Sequence, residues 1–291
     1  MPAELVESIG YLRHRISEHR RTGASIGLVP TMGALHAGHA RLIEQARVEC
    51  GRVVVTIFVN PLQFDREDDL RRYPHTLDSD RALCDRHGVD IVFAPSVEEM
   101  YPAPPECTVE VGHLADHLCG AHRPGHFRGV ATVVMKLFGM VRADRAYFGE
   151  KDAQQLAIIR RLVADLNVPI EVVGITTVRE PDGLALSSRN RHLTPAERQS
   201  AVALFRALQQ ADRRILAGDG DPASVTRWAV SQIPPDDPSL RLEYFEIVDP
   251  SSLQPVTWIG GPVRVAGALW VGSTRLIDNL LAVPPGISLP A

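Results

Sequence analysis

The stretch Val29-Pro-Thr-Met-Gly-Ala-Leu-His36-Ala-Gly-His39 decides how this chain is read. It continues a short apolar run that starts at Ile26, and it contains a Gly turn and two histidines three residues apart. A strand that enters a loop and opens a helix has this pattern. The spacing places both imidazoles on one face of the helix's first turn. A helix N-terminus carries about half a positive charge and unpaired N–H donors, so it suits phosphate groups. Gly33 and Gly38 are expected to let the backbone approach a ligand closely, with no Cβ in the way. The segment therefore reads as a nucleotide phosphate site with two imidazole donors. Two histidines at this spacing are more often ordinary surface or capping residues, so the residues around them have to carry the argument.

Outward from this stretch, the first half of the chain alternates strand and helix patterns. Short strands are expected at 25–29, 52–59, 90–94, 145–148 and 170–178. Helices are expected at 38–50, 76–87, 130–141 and 153–166, with a Pro-rich loop over 95–105. Val- and Ile-rich strands without polar alternation, separated by helices, indicate a parallel sheet covered on both faces. Ligands of such sheets bind beyond the carboxyl ends of the strands. After Ser188 the character changes. Thr194-Pro-Ala-Glu197 has a capping-box signature and opens a helix predicted to run to about Leu216. A second helix, 222–233, and strands at 241–248 and 263–271 complete a smaller α+β part. The expected fold is thus α/β, a parallel sheet with helices on both faces, in domain 1–177, followed by an α+β domain, 178–291.

Composition narrows the classes. A chain of 291 residues with 45% hydrophobic content supports substantial cores. A net charge of −4 makes nucleic acid a poor partner. The four cysteines, Cys50, Cys84, Cys107 and Cys119, form no CxxC pair and fit a reducing cytoplasm. Residues 1–21 are rich in charge and show no signal-peptide core, and no apolar run approaches the roughly 18 residues of a membrane span. The segment from Gly112 to Phe127 holds His113, His117, Cys119, His122 and His126. Zinc ligation there is the weaker reading, because no HExxH or CxxC frame supports it.

Further blocks give the first stretch its context. They are Phe58-Val-Asn-Pro-Leu-Gln-Phe64, Leu118-Cys-Gly-Ala-His-Arg-Pro-Gly-His-Phe-Arg-Gly-Val130, Phe148-Gly-Glu-Lys-Asp-Ala-Gln-Gln155 and Leu186-Ser-Ser-Arg-Asn190. Tyr244-Phe-Glu-Ile-Val-Asp-Pro250 and Thr274-Arg-Leu-Ile-Asp-Asn279 follow. With the HxGH signature of nucleotidyltransferases at 36–39, this ordered set resembles the pantothenate synthetase (pantoate–β-alanine ligase) family over nearly the whole chain. Ala37 and Leu62 are small departures, standing where that family commonly has an acidic residue and a methionine.

The resemblance implies a Rossmann-like fold and a homodimeric ligase that uses ATP and Mg²⁺ to join pantoate to β-alanine through an acyl adenylate. It implies that His36 and His39 take phosphates, and that Lys151 bridges the α-phosphate and the acyl oxygen. Ser187, Ser188 and Arg189, in place of a mobile KMSKS-type loop, would hold the β- and γ-phosphates, and the second domain would cover the site. ATP contacts are also expected at Met32, Gly149, Asp152, Val178 and Leu186. Gln63 and Gln155 are the expected pantoate hydrogen-bond partners, and Met32, Phe58, Val133 and Val134 the candidate apolar walls. Asp80 is the acidic residue expected beside Mg²⁺, and Arg123 a late phosphate or subunit contact. An adenylyltransferase acting on a phosphorylated acceptor is the alternative enzyme; it has no use for the two glutamines or the long second domain. A non-catalytic nucleotide-binding module is the alternative outside enzymes, and the complete set of histidines, lysine and Ser-Ser-Arg argues against it.

Overall fold

The computed structural model describes residues 2–287, which divide into two compact units. The first takes in the chain as far as Val111, then Arg123–Glu150 and Ile158–Thr176. The second takes in Gly112–His122, Lys151–Ala157 and the chain from Thr177 onward.

In chain order the elements up to the last parallel strand are β1 (Glu4–Val6), α1 (Ile9–Arg21), β2 (Ile26–Thr31), α2 (Ala37–Glu49), β3 (Arg52–Ile57), α3 (Glu67–Arg71) and α4 (Leu77–Arg86). There follow β4 (Ile91–Phe93), α5 (Val97–Met100), α6 (Cys119–His122), α7 (His126–Val141), β5 (Arg145–Gly149), α8 (Ala153–Asp165) and β6 (Glu171–Ile175). The strands of the first unit form one parallel sheet in the order β1-β4-β3-β2-β5-β6. Its central residues, Leu28, Val29, Val53, Val54, Val55, Ile91 and Val92, are fully buried, as unbroken apolar strands require when helices cover both faces. From β2 the chain steps through β3 and β4 on one side, then returns to place β5 and β6 on the other. The order therefore reverses between β2 and β5, the position where open α/β sheets bind ligands. The residues after β2 are those of the opening stretch, and β5 ends at Gly149.

The second unit carries α9 (Pro195–Ser200), α10 (Ala203–Leu216), α11 (Pro222–Val230) and an antiparallel sheet, β7 (Leu240–Val248), β8 (Val263–Val271) and β9 (Thr274–Ala282). Leu204, Ala207, Leu208, Ala211 and Ile215 follow the helical period along α10 and pack with Val265, Leu269 and Leu276 of the sheet. Each fully buried Leu or Ile there contributes roughly 1.5–3 kcal/mol.

Several elements differ from the sequence reading. The strand expected at 170–178 ends at Ile175. The helix expected over 194–216 is two helices, broken by a turn at Ala201–Val202. The helix expected from Val130 begins at His126. β9, β1 and α1 had not been singled out; β1 is only three residues long, and β9 lay inside a motif read for similarity rather than for its alternation.

Candidate active site

In the first unit, His36 is the N-cap of α2, and the cap is reciprocal. The backbone N–H of Gly38 donates to His36 Nδ1 at 3.1 Å, and the His36 N–H donates to His39 Nδ1 at 3.2 Å. This is a capping box built from imidazoles instead of Ser and Glu. Because both Nδ1 atoms accept, each neutral ring carries its proton on Nε2. The rings lie 4.2 Å apart, so the helix N-terminus presents two N–H donors of the same kind. A Cβ at residue 38 would stand 2.8 Å from the His36 ring, so Gly38 makes room for that ring rather than for a ligand.

The turn that delivers His36 is strained and held. Gly33 and Ala34 both have positive φ, 87° and 52°, and for Ala34 this costs roughly 1–2 kcal/mol. Asp80 of α4, 2% exposed, accepts the Ala34 N–H at 2.9 Å on Oδ2 and the Leu35 N–H at 2.8 Å on Oδ1. Thr76 Oγ1 donates to Oδ2 at 3.1 Å. Both carboxylate oxygens are thus engaged and buried, and Asp80, the residue expected beside Mg²⁺, clamps the turn that leads into α2. Among the described residues no group of three His, Cys, Asp or Glu side chains is placed to hold a metal ion. In the 112–127 segment, His113 pairs with Asp116, His122 stacks on Tyr244 and His126 bonds to a backbone carbonyl.

Gln63, also buried, is polarised by a chain of hydrogen bonds. Burial pushes the Tyr101 phenol up to about 12, so it keeps its proton at neutral pH and donates a hydrogen bond to Asn60 Oδ1 at 2.9 Å. Asn60 Nδ2 then donates to Gln63 Oε1 and to the Gly129 carbonyl, both at 3.1 Å. Gln63 Nε2 in turn donates to Met32 Sδ at 2.9 Å, which fixes the amide with its nitrogen toward Met32. The Gln63 carbonyl accepts from His126 Nδ1 at 2.7 Å and Arg123 Nη2 at 3.2 Å. Arg123 Nε also donates to Asp65 at 3.0 Å. Burial alone would raise the Asp65 carboxyl, yet the Arg123 charge and hydrogen bond outweigh it and hold it below the usual aspartate value. Arg123 therefore anchors the Gln63 loop here. Phe58, Val133 and Val134 are buried core residues, and Met32 is half-buried. The hydrogen bonds of Asn60 and Tyr101, and those by which Asp80 holds the turn, escaped the sequence reading; the Asn-Pro start of a tight turn was the available signal for Asn60.

The second unit collects the other candidates. A concave cavity there is lined by Lys151, Ser187, Arg189, Asn190, Arg275 and Asp278, among others. Lys151 lies in a 3-10 turn with its Nζ 3.8 Å from Asp152. Ser187 caps the short 3-10 helix 188–192, accepting the Arg189 N–H. The Leu186 N–H donates to the Val178 carbonyl at 3.0 Å, so two expected ATP contacts are neighbours across a hairpin. Arg275 is neutralised by Glu243, and Asp278 by Arg179. Lys151, paired with the half-exposed Asp152 carboxylate, and Arg189 are the other cations on the wall. Gln155 is half-buried one turn beyond Lys151, and Gln154 is structural, donating to the Leu114 and His117 carbonyls at 2.8 Å. Gly149 closes β5 in the first unit.

The family model described as pantoate-beta-alanine ligase matches residues 4–281. The pantothenate synthetase of Moorella thermoacetica is 52% identical over 278 residues, covering 96% of this chain and 98% of that protein. A crystal structure of pantothenate synthetase from Thermus thermophilus superposes with a TM-score of 0.90 at 46% identity, covering 97% of this chain and all of that one. A pantoate-beta-alanine ligase from Francisella tularensis, crystallised with beta-gamma ATP and beta-alanine, gives a TM-score of 0.80 at 34% identity, covering 96% and 97%.

Proposed function

This chain belongs to the pantoate–β-alanine ligase family, and from that premise we propose how its own residues carry the reaction. The enzyme is a ligase that joins pantoate to β-alanine with ATP. The chemistry needs the pantoate carboxylate activated. Its oxygen attacks the α-phosphorus of ATP, pyrophosphate leaves, and the β-alanine amine then displaces AMP from the pantoyl adenylate. Charge accumulates on phosphate oxygens in the first step, so preorganised donors are the main catalytic resource.

The observation that carries the assignment is the reciprocal His36–His39 cap at the point where the strand order reverses. Its two Nε2–H groups and the positive end of α2 suit phosphate oxygens. Lys151 neutralises the α-phosphate and acyl oxygens, while Ser187, Ser188 and Arg189 hold the β- and γ-phosphates. Gly149 and Asp152 serve the ribose, with Val178, Leu186 and Met32 as further ATP contacts. Gln63, with its amide nitrogen forward, and Gln155 bind pantoate, with Met32, Phe58, Val133 and Val134 along its apolar side.

Mg²⁺ arrives with the triphosphate, whose charge it screens while keeping most of its waters; no carboxylate of this chain is assigned to it. Residues 1–177 supply ATP and pantoate recognition, and residues 178–291 the Ser-Ser-Arg loop. A homodimer in the cytoplasm is the setting the family resemblance implies. Four free thiols agree with a reducing compartment, a net charge of −4 disfavours nucleic acid, and no helix among the described residues is long and apolar enough to cross a membrane.

The test is isotope exchange between pyrophosphate and ATP without β-alanine. Exchange that depends on pantoate is the expected result. Exchange absent while ATP still binds would refute the adenylate route.

A further inference from the structure

β9 turns its odd-numbered and even-numbered residues to different tasks, and one of them reaches Lys151. Leu276 and Leu280 pack with α10 in the core of the second unit. On the alternate face Arg275 extends to Cys119 Sγ, at 3.7 Å, and Asn279 donates from Nδ2 to the backbone carbonyl of Lys151 at 3.0 Å. Asn279 is 5% exposed and its amide is oriented from both ends. Arg264 Nη1 donates to Oδ1 at 2.6 Å, which leaves Nδ2 as the group that faces Lys151. The Asn279 backbone N–H donates to Asp278 Oδ1 at 2.8 Å, and Asp278 is gripped through both oxygens by Arg179, at 2.6 and 2.9 Å. Arg179 in turn lies over the Phe205 ring and donates to the Gly183 carbonyl.

We propose that Asn279 is a positioning residue for catalysis: its amide, locked by Arg264, fixes the backbone of the turn from which Lys151 projects into the cavity. This rests on the role assigned to Lys151 above. A lysine stem has four rotatable bonds, and placing its ammonium on a transferring phosphate demands at least that the Cα be stationary. Lys151 lies at the centre of a single 3-10 turn, Glu150–Asp152, that follows β5 and runs directly into α8, and its carbonyl is the group the Asn279 amide holds. The buried amide, bonded on both sides, ties that turn to β9 and β8, as supporting residues around a catalytic group do. Asn279 touches no reacting atom in this account.

The test uses Asn279→Asp and Asn279→Ala in the full chain. Asn279→Asp keeps the Arg264 partner and the side-chain shape but removes the donor, so it preserves the fold where Asn279→Ala does not. Asn279→Asp should lower the maximal rate of pantoate-dependent pyrophosphate–ATP exchange by about 10- to 100-fold, the scale of a displacement near 1 Å, with the KM for ATP changed less than about threefold. In a Lys151→Ala background the same substitution should cost less than about twofold, because residues that act as a unit are not additive. Losses that multiply would overturn the proposal, and so would an Asn279→Asp enzyme with parental rate. A Lys151→Ala enzyme with a normal rate would instead overturn the role of Lys151 itself, so the two failures are distinguishable.

Discussion

Replacing Asp80 by asparagine tests the clamp on the turn that delivers His36. The carboxylate accepts the Ala34 and Leu35 N–H groups on separate oxygens, in a position 2% exposed. An asparagine side chain keeps one acceptor oxygen and turns an NH₂ toward the other donor. One hydrogen bond to a charged group, worth about 1.5–3 kcal/mol, is lost, and a buried N–H left unpaired costs about 1–3 kcal/mol more. Removing a buried charge returns part of this, which leaves a net loss of about 2–4 kcal/mol. With a urea slope of about 1–3 kcal/mol per molar, the unfolding midpoint of the first unit should fall by roughly 1–2 M. Urea unfolding followed by circular dichroism reads this, and hydrogen exchange at Ala34 and Leu35 localises it. ATP KM should rise as well, because the positive φ of Ala34 then lacks its support. A midpoint within about 0.2 M of the parent refutes the reasoning. If such a variant also needed more Mg²⁺ for activity, Asp80 would be a metal ligand after all.

The remaining predictions concern the other parts of the site. His36→Ala should lower the adenylation rate by roughly 10²–10³, the loss typical of one transition-state donor, and should also fray the start of α2; a normal rate would remove His36 from the mechanism. Gly129→Ala would place a Cβ 2.2 Å from the Leu62 carbonyl oxygen and 2.6 Å from the Gln63 nitrogen, both backbone atoms. Pantoate KM should therefore rise while ATP affinity, measured by calorimetry, holds; equal losses for both ligands would contradict the Gln63 assignment. Amides of 186–190 should exchange more slowly when ATP is bound, because closure over nucleotide excludes water, and unchanged exchange would count against a mobile loop.

The sequence by itself determined the parallel sheet, its main helices and the turn that brings two histidines to the start of α2. Those signals are local: unbroken apolar strands, helical periodicity and a two-histidine turn each lie within a dozen residues. It did not reveal β9 as the third strand of the small sheet, nor the break between α9 and α10, since both are decided by what packs across them. The tasks of Asp80, Asn60, Tyr101 and Asn279 were equally hidden, because each acts on backbone or side chains between 3 and 128 positions away. The same holds for the two segments, 112–122 and 151–157, that group with the C-terminal part although they precede it in the chain. Cys119, bonded to Tyr244, and Lys151, bonded to Asn279, show the cause. A hydrogen bond is satisfied by whichever donor the fold brings within about 3 Å, and only the tertiary structure makes that choice.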